Sequence, residues 1–337
     1  MPVPMEHETP EPYVIAAVAL TPRCVFVDGA VDRAALDHNV GGCIAETRRV
    51  VDAHGARLIV FPQFGLSGHA MVPAEAWHEA ALDMQGPEIE RIAEVARSLG
   101  VFIAVQVPER HSAFPGRYFL SCVIVGPQDG VVLVHRKGYS LSLRTSPVDV
   151  HDKFVDVFGA GAFHPVADTA IGRLGATIGA ELHWPEAGRS LALQGVEVIV
   201  NPIAAVPHLD YMHRAGAQHV RAVRAFENMT YMITANIGAP KAPPSVIHDF
   251  KGAPIGGAFA GDPAVTLATV DLGALRHWRD QPSANLLAQI QARTDVQPHP
   301  ELHWPVNRWP DHAPTRFEDL VEAEAAVWHG LRSRWGR

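Results

Sequence analysis

The stretch that decides the fold is LIVFPQFGLSG, residues 58–68. Its first four residues, Leu58–Phe61, form a continuous apolar run that is typical of a buried strand, and Pro62 ends that strand. The preceding segment, Asp32–His54, carries apolar residues at three- and four-residue steps, which predicts a helix. Gly55 stands where a glycine commonly ends a helix. Helix and buried strand therefore alternate around residues 58–68.

The same alternation continues along the chain, but some neighbouring strands are joined only by short turns. Strand and helix mixed with hairpins predict mixed sheets covered by helices. The further predicted strands are Tyr13–Leu20, Val101–Val107, Tyr118–Val125, Val131–His135, Leu174–Ile178, Val196–Val200, Thr230–Ile237, Ser245–His248 and Thr266–Asp271. The further predicted helices are Pro87–Leu99, Pro185–Gln194 and Tyr211–Asn228. The glycine-rich segment Gly252–Gly261 lacks the Lys-Ser or Lys-Thr ending of a phosphate-binding loop and is predicted to be a turn.

Composition and charge narrow the class of protein. The chain has 337 residues, of which 47% are hydrophobic, enough for one large α/β domain or two smaller ones. The net charge of −8 and the lack of a basic run argue against nucleic acid as a partner. The start, Met1 to Pro12, does not have the pattern of a secretion signal, and no apolar stretch is long enough to span a bilayer. We therefore expect a cytoplasmic protein that does not bind membranes.

Neither the cysteines nor the histidines form a recognisable ligand set. The three cysteines are Cys24, Cys43 and Cys122, and their spacing supports neither a disulfide framework nor a CxxC site. The chain has 19 histidines, but those at 208, 213 and 219 do not share one helical face. We expect no metal and no cofactor.

Three segments, in order, resemble the nitrilase (carbon–nitrogen hydrolase) superfamily. Residues 58–68 resemble the family's strand that is followed by Pro and a Glu general base. Val134-His-Arg-Lys137 resembles the strand that ends in a catalytic Lys, and Thr177–Glu186 resembles the segment that carries the Cys nucleophile. The resemblance covers about residues 13–280 and implies a four-layer α–β–β–α sandwich with two mixed sheets. Residues 281–337 are expected to be a C-terminal extension, with a helix near Phe317–Leu331.

The resemblance also implies an assembly. Family members form homodimers, or larger assemblies built from dimers, through the helices that correspond to Pro185–Gln194 and Tyr211–Asn228. The extension is expected to pack on the domain or across the dimer contact. The partners expected for this chain are thus a small-molecule ligand or substrate and a second copy of itself.

The chain departs from the family at the residues that carry out the reaction. Family chemistry needs Glu to deprotonate Cys, a thiolate to attack an amide or nitrile carbon, and Lys to hold the oxyanion. Here Gln63 stands at the Glu position, and an amide cannot accept that proton. Gly179 stands at the Cys position, while Lys137 is retained. The second Glu of the family has no counterpart in Ser140–Ser146.

More than one role is possible for the remaining pocket residues. Lys137 can be an electrophile or a base, Gln63 a polar anchor, and the backbone N–H of Ala180 an oxyanion donor; alternatively Lys137 is salt-bridged to Glu109. Glu181 and His183 can supply acid–base function or serve structural roles. The other residues expected to line the substrate pocket are Gly179, Tyr139 and His151.

Three functions are consistent with this pattern. The first is an enzyme acting on a small amide-, nitrile- or amidine-like compound by a non-thiol mechanism that uses Lys137. The second is a pseudoenzyme that binds a small ligand or regulates a partner protein. The third is a structural subunit paired with an active relative.

Overall fold

The computed structural model describes residues 9–139, 145–205, 219–239, 242–259, 262–281, 285–290 and 322. The strands β1 to β14 are, in order, Tyr13–Val18, Phe26–Val27, Ala30–Val31, Leu58–Val60, Phe102–Glu109, Phe119–Gly126, Gly130–Arg136, Val166–Thr169, Gly172–Ala176, Val198–Pro202, Tyr231–Ala235, Val246–His248, Pro254–Phe259 and Asp262–Val270. The helices α1 to α7 are Arg33–His54, Ala74–Ala80, Pro87–Leu99, His151–Phe158, Pro185–Ala192, Val220–Asn228 and Leu272–Arg279.

Two mixed six-stranded sheets form the centre of the fold. One has the order β7-β6-β5-β4-β1-β14, the other has the order β13-β12-β11-β10-β9-β8, and pairing between β13 and β14 connects them. In the first sheet β4 pairs parallel with β1 and β5, and in the second β10 pairs parallel with β9 and β11. The remaining pairs within the two sheets are antiparallel.

The hydrophobic clusters show how the layers stack. One cluster combines inward side chains of both sheets, among them Ile15, Ile124, Val200 and Ile233. A second packs α1 and α3 on the outer face of the first sheet, and a third packs α5 and α6 on the outer face of the second sheet. The predicted four-layer α–β–β–α sandwich with two mixed sheets is confirmed.

The helix boundaries follow the expected local chemistry. The Asp32 carboxylate accepts hydrogen bonds from the N–H groups of Ala34 and Ala35 and so caps the start of α1. Gly55, at the end of α1, and Gly100, at the end of α3, both have the left-handed conformation, with φ of 64° and 70°. Pro87 occupies the first turn of α3, where its missing N–H costs no hydrogen bond.

The prediction that Gly252–Gly261 is a turn is wrong in part, because Pro254–Phe259 is strand β13. The glycine content reflects crowding between strands. A Cβ on Gly256 would lie 3.0 Å from both Ile247 Cβ and Thr266 Cγ2, side chains of the two flanking strands. The register shifts beside β13 on both sides, at Ile247/His248 and at Ala258/Phe259, where one sheet passes into the other.

Three helices were not predicted: α2, α4 and α7. His151 begins α4 and does not lie in a loop. Helix α7 is held to the second sheet by Arg279, which donates to the carbonyls of Met229 and Val196. The predicted helix Phe317–Leu331 and the first part of the predicted helix Tyr211–Asn228 lie outside the described residues.

Gly68, at the end of the fold-defining stretch, should not tolerate a side chain. Its φ is +67°, and a Cβ would lie 2.7 Å from Cys24 Cα, a backbone atom that cannot swing away. We expect Gly68→Ala to lower the free energy of unfolding by about 2–4 kcal/mol, because left-handed strain adds to overpacking. Urea denaturation followed by circular dichroism measures the loss.

Gly100→Ala is the matched control. Gly100 has a similar φ of +70°, but nothing lies within 4 Å of an added Cβ. Gly100→Ala should lower the free energy of unfolding only by the cost of the backbone strain, about 1–2 kcal/mol. Equal losses in the two variants would show that the contact with Cys24 contributes nothing.

Candidate active site

Three chain positions that are far apart in sequence meet at one point. Gln63 follows β4, Lys137 follows β7, and Gly179 lies beyond β9. A Cβ built on Gly179 would lie 2.6 Å from Gln63 Oε1 and 3.3 Å from Lys137 Nζ. The face of Gly179 on which a side chain would project is therefore lined by an amide oxygen and an amine.

Gln63 lies in the turn that follows β4, and a backbone hydrogen bond ties this turn to the second sheet. Its side chain is buried, and its backbone N–H donates to the carbonyl of Ile203, just beyond β10. The next residue, Phe64, is a non-glycine residue in the left-handed conformation, with φ of 60°. Its N–H donates to Gln106 Oε1 at 2.8 Å, which helps to hold this strained backbone.

Lys137 is only partly exposed, and its backbone N–H donates to the carbonyl of Leu120. Burial lowers the pKa of its ammonium group, while the negative charge of Glu181 acts in the opposite direction. Glu109, one neighbour considered as a salt-bridge partner of Lys137, does not fill that role. Glu109 pairs instead with Arg136 at 2.6 Å and accepts a hydrogen bond from Ser121.

Glu181 connects the two chain segments that carry Lys137 and Gly179. Its buried carboxylate accepts hydrogen bonds from the Gly138 N–H at 2.7 Å and the Ile178 N–H at 2.7 Å, and it pairs with His135 Nε2 at 2.8 Å. Burial alone would raise the pKa of this carboxyl group, but His135, Lys137 and the Ile178 N–H stabilise the charged form, so the pKa is lowered. These contacts favour a structural role for Glu181 over acid–base catalysis.

The other predicted pocket residues are divided between this site and its surroundings. Ala180 lies in the first turn of a 3₁₀ segment, Gly179–His183, where N–H groups lack intrahelical acceptors. Tyr139 stacks on Trp184 with ring centroids 4.7 Å apart. His151 pairs instead with Asp152 at 2.9 Å and stacks on Phe163. Among the described residues it forms no hydrogen bond or ion pair with Gln63, Lys137 or Gly179.

His183 ends the 3₁₀ segment that begins at Gly179. Burial lowers its pKa, as do the nearby charges of Arg221 and Arg224. Arg221 Nε donates to Asn201 Oδ1 at 3.2 Å, and Asn201 Nδ2 in turn lies 3.4 Å from the carbonyl oxygen of Gly179. Neither Asn201 nor Arg221 was singled out from the sequence.

The spacing of residues along α6 contains a pattern by which Arg221 could have been identified from the sequence. Arg224, Ala225 and Asn228 are its buried residues, and Arg221 precedes Ala225 by four positions. An arginine on the inward stripe of a helix is unusual enough to mark a candidate site.

None of the three cysteines stands at this site. Cys24 is exposed near Gly68, Cys43 lies within α1, and Cys122 lies in the core between the sheets. Burial raises the pKa of the Cys43 and Cys122 thiols, which disfavours thiolates at those positions. Within the described ranges there is also no cluster of three side chains suited to a metal ion.

The fold and the site together define the class of protein: a four-layer α/β sandwich of the nitrilase type in which Gln63, Lys137 and Gly179 meet beyond the ends of three strands. The chain belongs to the carbon–nitrogen hydrolase family, whose profile matches residues 15–280. None of the helices in the described part of the chain is long and apolar enough to cross a membrane.

Relatives and solved structures agree with this assignment. A nitrilase of Pyrococcus abyssi is 28% identical over 231 residues, covering 67% of this chain and 80% of the relative. The bifunctional nitrilase/nitrile hydratase NIT4A of Lupinus angustifolius is 29% identical over 170 residues, covering 45% of each protein. The chain thus spans about half the length of this plant relative.

Among solved structures, Nit3 of Saccharomyces cerevisiae superposes with a TM-score of 0.65 at 16% identity, covering 85% of this chain and 98% of Nit3. An amidase from Nesterenkonia sp. AN1, carrying a glutamate-to-glutamine and a cysteine-to-alanine exchange and bound to acrylamide, gives a TM-score of 0.58 at 18% identity. That match covers 86% of this chain and 97% of the amidase. At these identities the structures show a shared fold.

Removing the Glu181 carboxylate should destabilise the protein strongly. Glu181→Ala leaves His135 and two backbone N–H groups without their buried acceptor, so we expect a loss of about 3–5 kcal/mol in the free energy of unfolding at neutral pH. The matched control is Glu90→Ala, which removes a surface ion pair with Arg97 and should cost at most about 1 kcal/mol. Urea denaturation of both variants measures these losses.

The contacts of the Glu181 carboxylate also predict how the stability of the protein changes in acid. The pKa of Glu181 is lower in the folded protein than its ordinary value of 4.5. The carboxylate therefore contributes fully to the free energy of unfolding above pH 4.5, and this contribution is lost as the pH falls through the folded-state pKa. The stability difference between wild type and Glu181→Ala should therefore shrink in acid. A difference that stays constant down to the acid limit of folding would contradict this assignment.

Proposed function

We propose that this protein hydrolyses a small amide-, nitrile- or amidine-like compound without a thiol, with Lys137 as the base. The observation that carries the proposal is the position of Lys137 Nζ, 3.3 Å from a Cβ built on Gly179, beside the amide oxygen of Gln63. Burial lowers the pKa of Lys137, so its neutral, proton-accepting form becomes more available.

The proposed reaction of an amide balances as follows. Neutral Lys137 takes a proton from a water molecule held between its amine and Gln63 Oε1. The water oxygen adds to the amide carbon, and the Ala180 N–H donates to the oxyanion that forms. When the tetrahedral intermediate collapses, the C–N bond breaks, and the leaving nitrogen takes the proton from Lys137. The products are a carboxylic acid and ammonia or an amine.

A related pocket supports the binding part of this proposal. The Nesterenkonia amidase with glutamine for a glutamate and alanine for a cysteine is described in complex with acrylamide. In that protein a small amide therefore binds although these two groups have been exchanged. Gln63 and Gly179 are comparable replacements, which favours small amides as ligands here.

The second candidate is a binding protein without turnover. It is favoured by the chemistry of Gln63, since an amide cannot take over the proton-accepting role of a carboxylate. The Glu181 carboxylate does not fill that role in its present geometry, because it already accepts two backbone N–H groups and pairs with His135.

Ammonia release from a panel of small amides, nitriles and amidines distinguishes the two candidates. We expect wild type to release ammonia from at least one compound and Lys137→Met to be slower by about a hundredfold or more, as for loss of a general base. Lys251→Met, on an exposed turn, is the matched control and should retain full activity. If wild type releases no ammonia, or if Lys137→Met matches it, the hydrolytic mechanism is wrong.

The pH dependence of the same reaction reports the state of Lys137. The base must be neutral, so kcat/KM should rise with pH, level off above the pKa of Lys137, and have its midpoint below the ordinary lysine value of 10.5. The free energy of unfolding should change in the same direction. Between the lowered pKa of folded Lys137 and the ordinary lysine pKa, the unfolded chain binds more protons than the folded chain. A rise in pH over this range therefore relieves the destabilising effect of burying Lys137. A profile that falls over this range would contradict a lysine base.

We further propose that two copies associate through α5 and α6. Three apolar side chains on or beside these helices are exposed: Val223, Phe226 and, just after α5, Leu193, at 45%, 50% and 56%. Such a patch is typical of an association surface.

Phe226→Glu should weaken this association at least about tenfold, because it removes a large apolar contact and introduces charge. Val27→Glu, which alters an equally exposed apolar residue on β2, is the control. Sedimentation velocity over a concentration series measures the effect. A monomeric wild type, or a dimer unaffected by Phe226→Glu, would rule out this contact.

A further inference from the structure

Of the three residues that meet at the candidate active site, only Lys137 carries a nucleophile. Gln63 has an amide, whose nitrogen lone pair is delocalised into the carbonyl group, and Gly179 has no side chain. The amine nitrogen Nζ of Lys137 lies 3.3 Å from the position that a Cβ of Gly179 would occupy. A carbon atom of a ligand placed beside Gly179 is therefore within contact distance of the amine.

The amine of Lys137 is not held by a counter-charge. It forms no ion pair with a described residue, and the negative charge that acts on it is that of Glu181. The Glu181 carboxylate already accepts the N–H groups of Gly138 and Ile178 and pairs with His135. Burial disfavours the ammonium form of Lys137 and lowers its pKa. A larger share of this lysine is thus neutral and nucleophilic.

The other described lysines have different surroundings. The chain has four lysines, and the structure describes three of them. Lys153 is exposed, and its Nζ lies 5.3 Å from the ring centroid of Phe114. Lys251 is exposed as well, and its Nζ lies 4.4 Å from the ring centroid of Trp278. An aromatic face favours the ammonium cation, so Lys137 is the described lysine whose surroundings best suit a neutral amine.

We propose that Lys137 forms a reversible imine with a small aldehyde, at the face of Gly179 that lacks a side chain. Neutral Nζ adds to the aldehyde carbon, so that a C–N bond forms and the electron pair of the C=O bond moves to oxygen. One amine proton passes to that oxygen and gives a carbinolamine. The C–O bond then breaks, the oxygen leaves as water with the remaining amine hydrogen, and the C=N bond forms. The step consumes neither an oxidant nor a reductant.

The groups around Gly179 suit the intermediate of this reaction. Gln63 Oε1 lies 2.6 Å from the position of a Gly179 Cβ, so it can accept the hydroxyl hydrogen of the carbinolamine. The Ala180 N–H, in the first turn of the 3₁₀ segment, can donate to the oxygen while it carries negative charge. An aldehyde has the carbonyl group of an amide but no leaving nitrogen. The inference therefore goes beyond hydrolysis and shares with it only the neutral amine of Lys137.

Reductive trapping tests this inference on the wild-type chain. Butyraldehyde with cyanoborohydride at neutral pH converts an imine into a stable N-butyl amine, and peptide mapping by mass spectrometry locates the modified residue. We expect labelling of Lys137 to exceed labelling of Lys153 and Lys251 by at least about tenfold, because more of its amine is neutral. The two surface lysines serve as controls within the same molecule.

Two glycine variants test whether the adduct forms at the face of Gly179. Gly179→Ala places a methyl group 3.3 Å from Lys137 Nζ and should reduce the labelling of Lys137 severalfold. Gly100→Ala is the matched control, because its φ of +70° is similar to the +59° of Gly179 but nothing lies within 4 Å of its added Cβ. The control should be labelled like wild type, and thermal unfolding verifies that both variants are folded.

The outcomes separate this inference from the hydrolytic proposal. Labelling of Lys137 in wild type that does not exceed that of Lys251 overturns the imine, and so does labelling that a folded Gly179→Ala variant leaves unchanged. Neither measurement requires turnover. Ammonia release without selective labelling overturns only the imine, and selective labelling without ammonia release overturns only the hydrolysis.

Discussion

The pocket depends on one buried carboxylate, that of Glu181. The loop after β7 and the turn after β9 belong to different sheets, and each directs an N–H group at this carboxylate. His135, on β7, provides the third contact. In a low-dielectric interior such charge-assisted bonds are strong, and leaving any one of them unmade is costly. The two backbone segments that carry Lys137 and Gly179 are thus joined by a group that need not touch a substrate.

This arrangement supports the backbone beside Lys137 without the side chains at positions 63 and 179. The site itself holds an amine, an amide and backbone N–H groups, and such groups can recognise a carbonyl compound. The Gly179 backbone is also linked to Arg221 on α6, because Asn201 bonds to both.

The residue pattern predicted helices packed on mixed sheets, the family resemblance supplied the order of the four layers, and only the framework of the site could be predicted. Buried strands such as Leu58–Val60 and the cap residues Asp32 and Gly55 are local features, so their patterns predict them directly. The strand at Pro254–Phe259 was missed because its glycines are required by close contact with the neighbouring strands, and such a tertiary constraint is not visible in the local pattern. Convergence of Gln63, Lys137 and Gly179 followed from the family resemblance. The roles of His135, Asn201 and Arg221 did not, because each depends on a partner from another element.

The conformation of Gly179 has a consequence for protein engineering at this position. Its φ of +59° is one that residues with a side chain rarely adopt, and the space beside it is occupied by Gln63 Oε1. A cysteine introduced at this position alone would bear backbone strain and a steric conflict, and the Gln63 amide would not accept its proton. A designed thiol at position 179 therefore also requires a different side chain at position 63.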